Sequence, residues 1–306
     1  MQHFRSLEGE YLQKSWLTIG SFDGVHLGHQ EIIKRLVSEA HNREALAVAI
    51  AFFPNPAIVL GKRQNPSYLT TTEERAEIMG EMGVDVVITY PFDLQTANMS
   101  AREFISLLHD HIKFDGLCVG YDFALGKNRE GNTEKLSLLG KEFGYQVELI
   151  EPVKNGDVIV SSSEIRARIL EGEIERAGQL LGRHYRIKGK VIPGDGRGKT
   201  IGIPTANLEI WQEQAIPKTG VYAAWAKIRD RTYEAVVNIG VRPTFEPGAA
   251  LPRVEAHVLD FHEEIYGEEI ILSFVSRLRD ERRFPNVEAL VEQIHNDIIR
   301  AKQLLL

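Results

Sequence analysis

The segment Thr18-Ile19-Gly20-Ser21-Phe22-Asp23-Gly24-Val25-His26-Leu27-Gly28-His29-Gln30 decides the reading of this chain. An apolar strand runs into a glycine-containing turn, and a helix begins where the histidines stand. Positions i and i+3 share a helix face, so His26 and His29 project together over the helix start. A helix N-terminus carries unpaired N–H groups and a partial positive charge, which suits phosphate. Gly28 lets a ligand approach the backbone with no Cβ in the way. Three readings stay open from this stretch by itself: polar surface, a metal site with no third ligand nearby, and a nucleotide site without a P-loop.

Working outward, the first half alternates strand and helix patterns. A strand at 16–19 precedes a helix that buries Ile32, Ile33, Leu36, Val37 and Ala40. The near-continuous apolar run at 45–53 is expected of a strand covered on both faces. Thr71 with Glu74, and Ser100 with Glu103, read as capping boxes; the second opens a helix carrying Phe104, Ile105, Leu108 and Ile112. Strands at 84–89, 117–120 and 146–150, with a helix at 133–143, complete an α/β doubly wound parallel sheet. Such sheets bind ligands at the carboxyl ends of their strands, where the His26/His29 turn falls.

The second half reads differently. After a helical stretch at 161–181, strand-like runs follow at 185–192, 206–210, 221–228, 233–239, 254–260 and 270–275. Gly- and Pro-rich turns join them with no helix between, the pattern of a small antiparallel β-barrel or sandwich. A terminal helix, capped by Asn286, is expected to bury Val287, Leu290, Val291, Ile294 and Ile298. The domain boundary is placed at 181–183, giving domains 1–182 and 183–306.

Composition sets the remaining bounds. A length of 306 residues suggests two domains, and an apolar share of 43% is ample for packed cores. No run of about 18 apolar residues exists to span a membrane, and Met1-Gln2-His3-Phe4-Arg5 shows no secretory signal. A single cysteine, Cys118, excludes an internal disulfide and fits a reducing cytoplasm. The net charge of −7 argues against a general nucleic-acid binder but not against a small anion in a local basic pocket. Oligomeric state is not legible.

Val160-Ser161-Ser162-Ser163-Glu164-Ile165-Arg166 places hydroxyls at a helix start and an arginine one turn in. Ser161 to Glu164 is a sound capping box, and the same segment offers donors for ATP phosphates. Together with His26-Leu27-Gly28-His29 it resembles the HxGH and SSxxIR pair of the nucleotidyltransferase superfamily, whose domain is Rossmann-like. The longer 20–30 stretch and Val119-Gly120-Tyr121-Asp122-Phe123-Ala124-Leu125-Gly126 narrow this to the FMN adenylyltransferase half of bifunctional riboflavin kinase/FAD synthetases. The resemblance covers essentially the whole chain. It implies that His26 and His29 stabilise the transferring adenylyl group. By the same match Gly20, Phe22, Gly28, Ser161, Ser162 and Arg166 border ATP and hold its phosphates. Asp122 and Phe123 would line the FMN pocket with Asn55, which stands where many relatives have histidine.

Gly194-Asp195-Gly196-Arg197-Gly198-Lys199 lacks P-loop spacing and reads as a hairpin turn or as a backbone nest for phosphate. The next segment, Gly202-Ile203-Pro204-Thr205-Ala206-Asn207, resembles the GxPTAN motif of riboflavin kinases. That match implies Mg²⁺ and ATP phosphates on Thr205 and Asn207, with Gly194, Gly196 and Lys199 around the ATP. Glu255, in Arg253-Val254-Glu255-Ala256-His257, resembles the family's catalytic base. By strand alternation alone it would face solvent or a barrel interior. Asn238-Ile239-Gly240-Val241-Arg242-Pro243-Thr244-Phe245 and Arg277-Leu278-Arg279-Asp280-Glu281 match further family segments, Arg279 bordering the flavin. The resemblance implies phosphorylation of riboflavin by ATP in the barrel, then adenylylation of FMN to FAD with release of pyrophosphate. Two competing expectations are a chain with one inactive half and a flavin-binding regulator without turnover.

Overall fold

The computed structural model describes residues 1–7, 12–194, 196, 198, 201–242 and 251–306. The chain forms two compact units, Met1–Ser162 and Ser163–Leu306.

The first unit runs β1 (Gln2–Phe4), β2 (Leu12–Gly20), α1 (Leu27–His41), β3 (Leu46–Phe53), α2 (Pro56–Val59), α3 (Thr72–Glu81), β4 (Val86–Pro91), α4 (Leu94–Asn98) and α5 (Ala101–His111). It continues with β5 (Ile112–Gly120), α6 (Thr133–Phe143), β6 (Gln146–Ile150) and the short hairpin β7 (Lys154–Asn155) and β8 (Val158–Ile159). Six strands form one sheet in the order β1-β4-β3-β2-β5-β6, with every pairing parallel. The chain winds outward from β2 through β3 to β4, then returns to the far side of β2 for β5 and β6. The carboxyl end of β2, at Gly20, is therefore where the strand order reverses.

Strand β3 shows why both faces are covered. Val48, Ile50 and Phe52 pack with Phe104, Ile105 and Leu108 of α5 and with Leu136 and Leu139 of α6. Ala47, Ala49 and Ala51 alternate to the other face, where Ile33, Leu36 and Ala40 of α1 meet the sheet. Small residues on that side let α1 lie close, which fixes its first turn beside the end of β2. Ser100 forms a complete capping box with Glu103, and Thr71 caps α3 by accepting the Glu74 N–H. Strand β1 and helices α2 and α4 were not foreseen; each is too short to show a period.

Helix α7 (Ser162–Glu171) begins at the last residue of the first unit and carries the chain into the second, where α8 (Ile174–Leu181) follows. Gly172, at φ +82°, separates them, so the single helical stretch expected at 161–181 is two helices. Strands β9 (Tyr185–Ile192), β10 (Ala206–Ile210), β11 (Gly220–Ile228), β12 (Arg231–Arg242), β13 (Leu251–Val258) and β14 (Glu269–Arg279) follow, then α9 (Val287–Leu304). The strands close into a barrel in the order β10-β13-β12-β11-β14-β9, with all pairings antiparallel. Outside the barrel, Val221, Ala223, Val236 and Leu278 pack with Ala301 and Leu305 at the end of the chain.

Asn286 caps α9 as expected, accepting the Ala289 N–H, but the face expected to be buried is not. Val287 is 53% exposed, and Leu290, Val291, Ile294 and Ile298 are half-buried. The buried positions are Asp297 and Ala301. The reason is that α9 roofs a cavity, into which Leu290 and Ile294 look.

One close contact in the first unit gives a test of the packing. Trp16 of β2 is almost wholly buried, and a Cβ built at Gly116 of β5 would come within 2.3 Å of its ring. The Arg43 guanidinium covers the indole, 4.7 Å from its centroid. Gly116→Ala is expected to cost about 1–3 kcal/mol through overpacking, read as a lowered urea midpoint; an unchanged midpoint would contradict this packing.

Candidate active sites

In the first unit the turn after β2 is held in an unusual backbone conformation. Phe22, Gly24 and Val25 have φ of +48°, +83° and +38°, and positive φ is costly for the two non-glycine residues. Asp23 between them is fully buried. Its Oδ1 accepts the N–H groups of Leu69 at 2.9 Å and Thr70 at 3.3 Å, and lies 3.6 Å from Nη2 of Arg75. Arg75 Nη1 donates to the Ser21 carbonyl at 2.6 Å, and the Gly24 N–H donates to Thr70 Oγ1 at 3.0 Å. Burial pulls the Arg75 pKa down while the Asp23 charge opposes that shift. The turn is thus clamped to α3 and the segment ahead of it by a buried ion pair and by hydrogen bonds between side chains and backbone.

That clamp presents the histidines. His26 is the N-cap of α1, its Nδ1 accepting the His29 N–H at 3.3 Å. With Nδ1 accepting, a neutral His26 carries its proton on Nε2. The two imidazoles stack with centroids 3.6 Å apart and planes at 17°, and Phe22 meets His29 edge-on at 5.2 Å. A Cβ at Gly28 would stand 3.2 Å from the His26 ring, and one at Gly20 would stand 3.1 Å from the Phe22 ring. Glycine at 28 therefore leaves room for the stacked His26 ring. Ser162 Oγ donates to the Asp23 carbonyl at 2.8 Å, joining the Ser161-Ser162 segment to the same turn. Further along α7, Arg166 Nη2 donates to Ser163 Oγ at 3.3 Å, and Glu164 accepts from Arg168 Nε at 2.8 Å.

Asn55 is buried as the N-cap of α2: its Oδ1 accepts the Ala57 N–H at 2.9 Å and its own N–H donates to Tyr68 Oη at 3.0 Å. Asp122 is exposed, its carbonyl accepting from Arg129 Nη2 at 2.6 Å. Phe123 is half-buried against the core beneath α5 and α6. A cavity of about 560 Å³ opens nearby, with Phe52, Phe92, Phe104, Leu125 and Gly126 in its wall. Asn55, Asp122 and Phe123 lie outside that wall.

The second unit brings its expected residues together more completely. Gly194, Gly196, Thr205, Asn207, Glu255 and Arg279 all line one cavity of about 430 Å³; Lys199 lies outside the described residues. Barrel register explains the gathering: Asn207 is paired with Glu255, and Glu255 in turn with Asn238. Val254, Ala256 and Val258 are buried while Arg253, Glu255 and His257 are only half-buried on the opposite face of β13. Glu255 therefore faces neither the barrel interior nor open solvent but the cavity under α9. His257 Nδ1 donates to the Pro204 carbonyl at 2.7 Å, bracing the Thr205 turn. Arg279 grips both oxygens of buried Asp297 through Nε, at 3.0 and 2.9 Å, and through Nη2 at 2.8 Å, with its guanidinium 5.7 Å from the Phe284 ring. A second cavity of about 340 Å³ shares Thr205 and Tyr266 with the first. Asp23, Arg75, Arg253 and Asp297 were given no role by the sequence; charged residues whose partners are set only by tertiary packing leave no local signal.

Comparison with known proteins agrees with both halves. A family model described as FAD synthetase matches residues 9–164, and one described as riboflavin kinase matches 181–305. A bifunctional riboflavin kinase/FMN adenylyltransferase from Listeria monocytogenes is 37% identical over 92% of this chain and 89% of its own length. The Bacillus subtilis protein of that description is 36% identical over 96% and 94%. The chain belongs to the bifunctional riboflavin kinase/FMN adenylyltransferase family. A crystal structure described as a macrolide-efflux protein from Streptococcus pneumoniae superposes with a TM-score of 0.89 at 28% identity, covering 98% of both chains. Among the described residues no helix is long and apolar enough to cross a membrane.

The Asp23–Arg75 clamp is directly testable. Asp23→Ala leaves a buried guanidinium without its counter-charge and is expected to cost about 3–5 kcal/mol in urea unfolding. Replacing both residues, Asp23→Leu with Arg75→Met, should recover part of that loss. A cost under about 1 kcal/mol for the single variant would show that the pair does not hold the turn.

Proposed function

We propose that this enzyme makes FMN in its barrel and FAD at the His26/His29 turn, with the functional boundary at 182/183, close to where the riboflavin kinase match begins at residue 181. The observation that carries the kinase assignment is the cavity gathering Thr205, Asn207, Glu255 and Arg279 from separated strands. There Glu255 accepts the proton of the riboflavin 5′-hydroxyl as its oxygen attacks the γ-phosphorus of ATP and the bond to ADP breaks. Gly194 and Gly196 border the nucleotide, and Arg279, held by Asp297, borders the flavin.

Thr205 and Asn207 fit Mg²⁺, because a hydroxyl and an amide oxygen suit a hard cation that keeps waters and phosphate oxygens. Among the described residues there is no group of three or more His, Cys, Asp or Glu that could hold a metal, and such a cation does not need one. Bound with ATP, it supplies charge neutralisation at the phosphates.

In the first unit an FMN phosphate oxygen attacks the α-phosphorus of ATP and pyrophosphate departs. His26, through Nε2–H, and His29 stabilise the charge that builds on the non-bridging oxygens, aided by N–H groups at the start of α1. Gly20, Phe22 and Gly28 border the ATP, and Ser161, Ser162 and Arg166 supply phosphate donors. Asn55, Asp122 and Phe123 are assigned to FMN; with its Oδ1 committed to the α2 cap, Asn55 would act through Nδ2. Small-molecule substrates are the partners in this reading, with neither nucleic acid nor membrane involved. Cytoplasmic residence suits Cys118, a buried thiol whose pKa burial pushes up to about 12. The efflux role in the description of the Streptococcus structure is not carried over, since phosphoryl chemistry accounts for these side chains.

The test is chromatography of flavins after incubation with riboflavin, ATP and Mg²⁺. FMN and FAD should both form. His29→Ala should reduce FAD formation about 100-fold or more while sparing FMN, and Glu255→Gln should do the reverse when FMN is supplied. FMN alone from the unmodified enzyme would assign an inactive first unit; neither product would leave a flavin-binding regulator. Loss of both activities in either variant would overturn two independent sites.

A further inference from the structure

Arg253 takes part in none of the steps above, yet it sits at their centre in the barrel. It stands two residues before Glu255 on β13, so both side chains leave the same face of the strand. Asn207 lies across from Glu255 on β10. The Arg253 guanidinium reaches both: Nε and Nη2 donate to Asn207 Oδ1 at 3.0 and 2.9 Å, and Nη2 pairs with Glu255 Oε1 at 2.6 Å. A guanidinium only donates, so the Asn207 amide must turn its oxygen to Arg253 and its nitrogen the other way. That nitrogen faces Gly194, where a Cβ would come within 2.1 Å.

Two donors from one cation thus take both lone pairs of the oxygen assigned to Mg²⁺. A guanidinium and a divalent ion cannot share that oxygen, since they compete for its lone pairs and repel each other. The Arg253 and Glu255 side chains are 32% and 21% exposed. Solvent screening therefore keeps the grip modest, within reach of displacement by a metal–nucleotide complex. We propose that Arg253 is a positioning residue that holds Glu255 and, while the kinase site lacks nucleotide, also holds Asn207 in the cation's stead, and that Mg²⁺ with ADP or ATP displaces it from Asn207 alone. The inference rests on the riboflavin kinase assignment of the barrel.

The experiment is calorimetric titration of Mg²⁺ into the full-length enzyme at saturating ADP, comparing the unmodified chain with Arg253→Gln and Arg253→Lys. Neither replacement can fork onto Asn207, so both should bind Mg²⁺ at least about threefold more tightly, with unfolding midpoints retained. The kcat for riboflavin phosphorylation should fall in Arg253→Gln, because Glu255 loses its partner. A merely structural brace would give weaker Mg²⁺ binding once removed. Unchanged or weaker Mg²⁺ binding in the folded variants overturns the proposal, and Arg253→Lys decides alone if Arg253→Gln does not fold. Failure of the unmodified enzyme to form FMN would instead overturn the kinase reading.

Discussion

The Asp23 carboxylate is buried, and everything at the end of β2 depends on how its charge is answered. Arg75 supplies the counter-charge, Leu69 and Thr70 supply N–H groups, and Ser162 binds the carbonyl of the same residue. Three separate parts of the chain converge on one residue. The convergence holds Phe22 and Val25 at positive φ and sets His26 as the cap of α1, with His29 stacked on it. An isolated turn would not hold such a backbone, since each strained residue costs about 1–3 kcal/mol and the surroundings must over-determine it. The strain lies where the proposed α-phosphate chemistry needs a fixed pair of imidazoles.

The barrel meets the same need by register. Closing six strands puts Asn207, Glu255 and Asn238 side by side on β10, β13 and β12. The inward residues of β13, Val254 and Ala256, are buried, leaving the polar ones to the outer face. Helix α9 then roofs that face and anchors Arg279 through Asp297. A polar site on the outside of a small barrel leaves the interior entirely to packing, so the chemistry costs the core nothing.

Much of this was legible beforehand, for local reasons. Helix α6 coincides with the helix expected at 133–143, and the structure shows local stops at both ends: Asn132 caps its start and Gly144, in the left-handed region, ends it. Strands β6, β9 and β10 were equally clear from apolar period and flanking turns. Other features were hidden by their dependence on distant contacts. Arg75 follows Glu73 and Glu74 and reads as part of a solvated helix face, yet it is buried against the turn after β2. The period of α9 promised an apolar face that the cavity beneath it leaves half-covered. The side of the barrel that Glu255 faces is set by closure, and a period of two cannot distinguish it.

The central claim is that two phosphorus centres of ATP are attacked at two different places in one chain. The most direct measurement is the fate of label when riboflavin, Mg²⁺ and ATP labelled in turn at the γ- and α-phosphate are turned over. The γ-label should enter FMN and remain in FAD, while the α-label should appear in FAD and never in FMN. An α-label in FMN, or flavin products that carry no γ-label, would contradict the account.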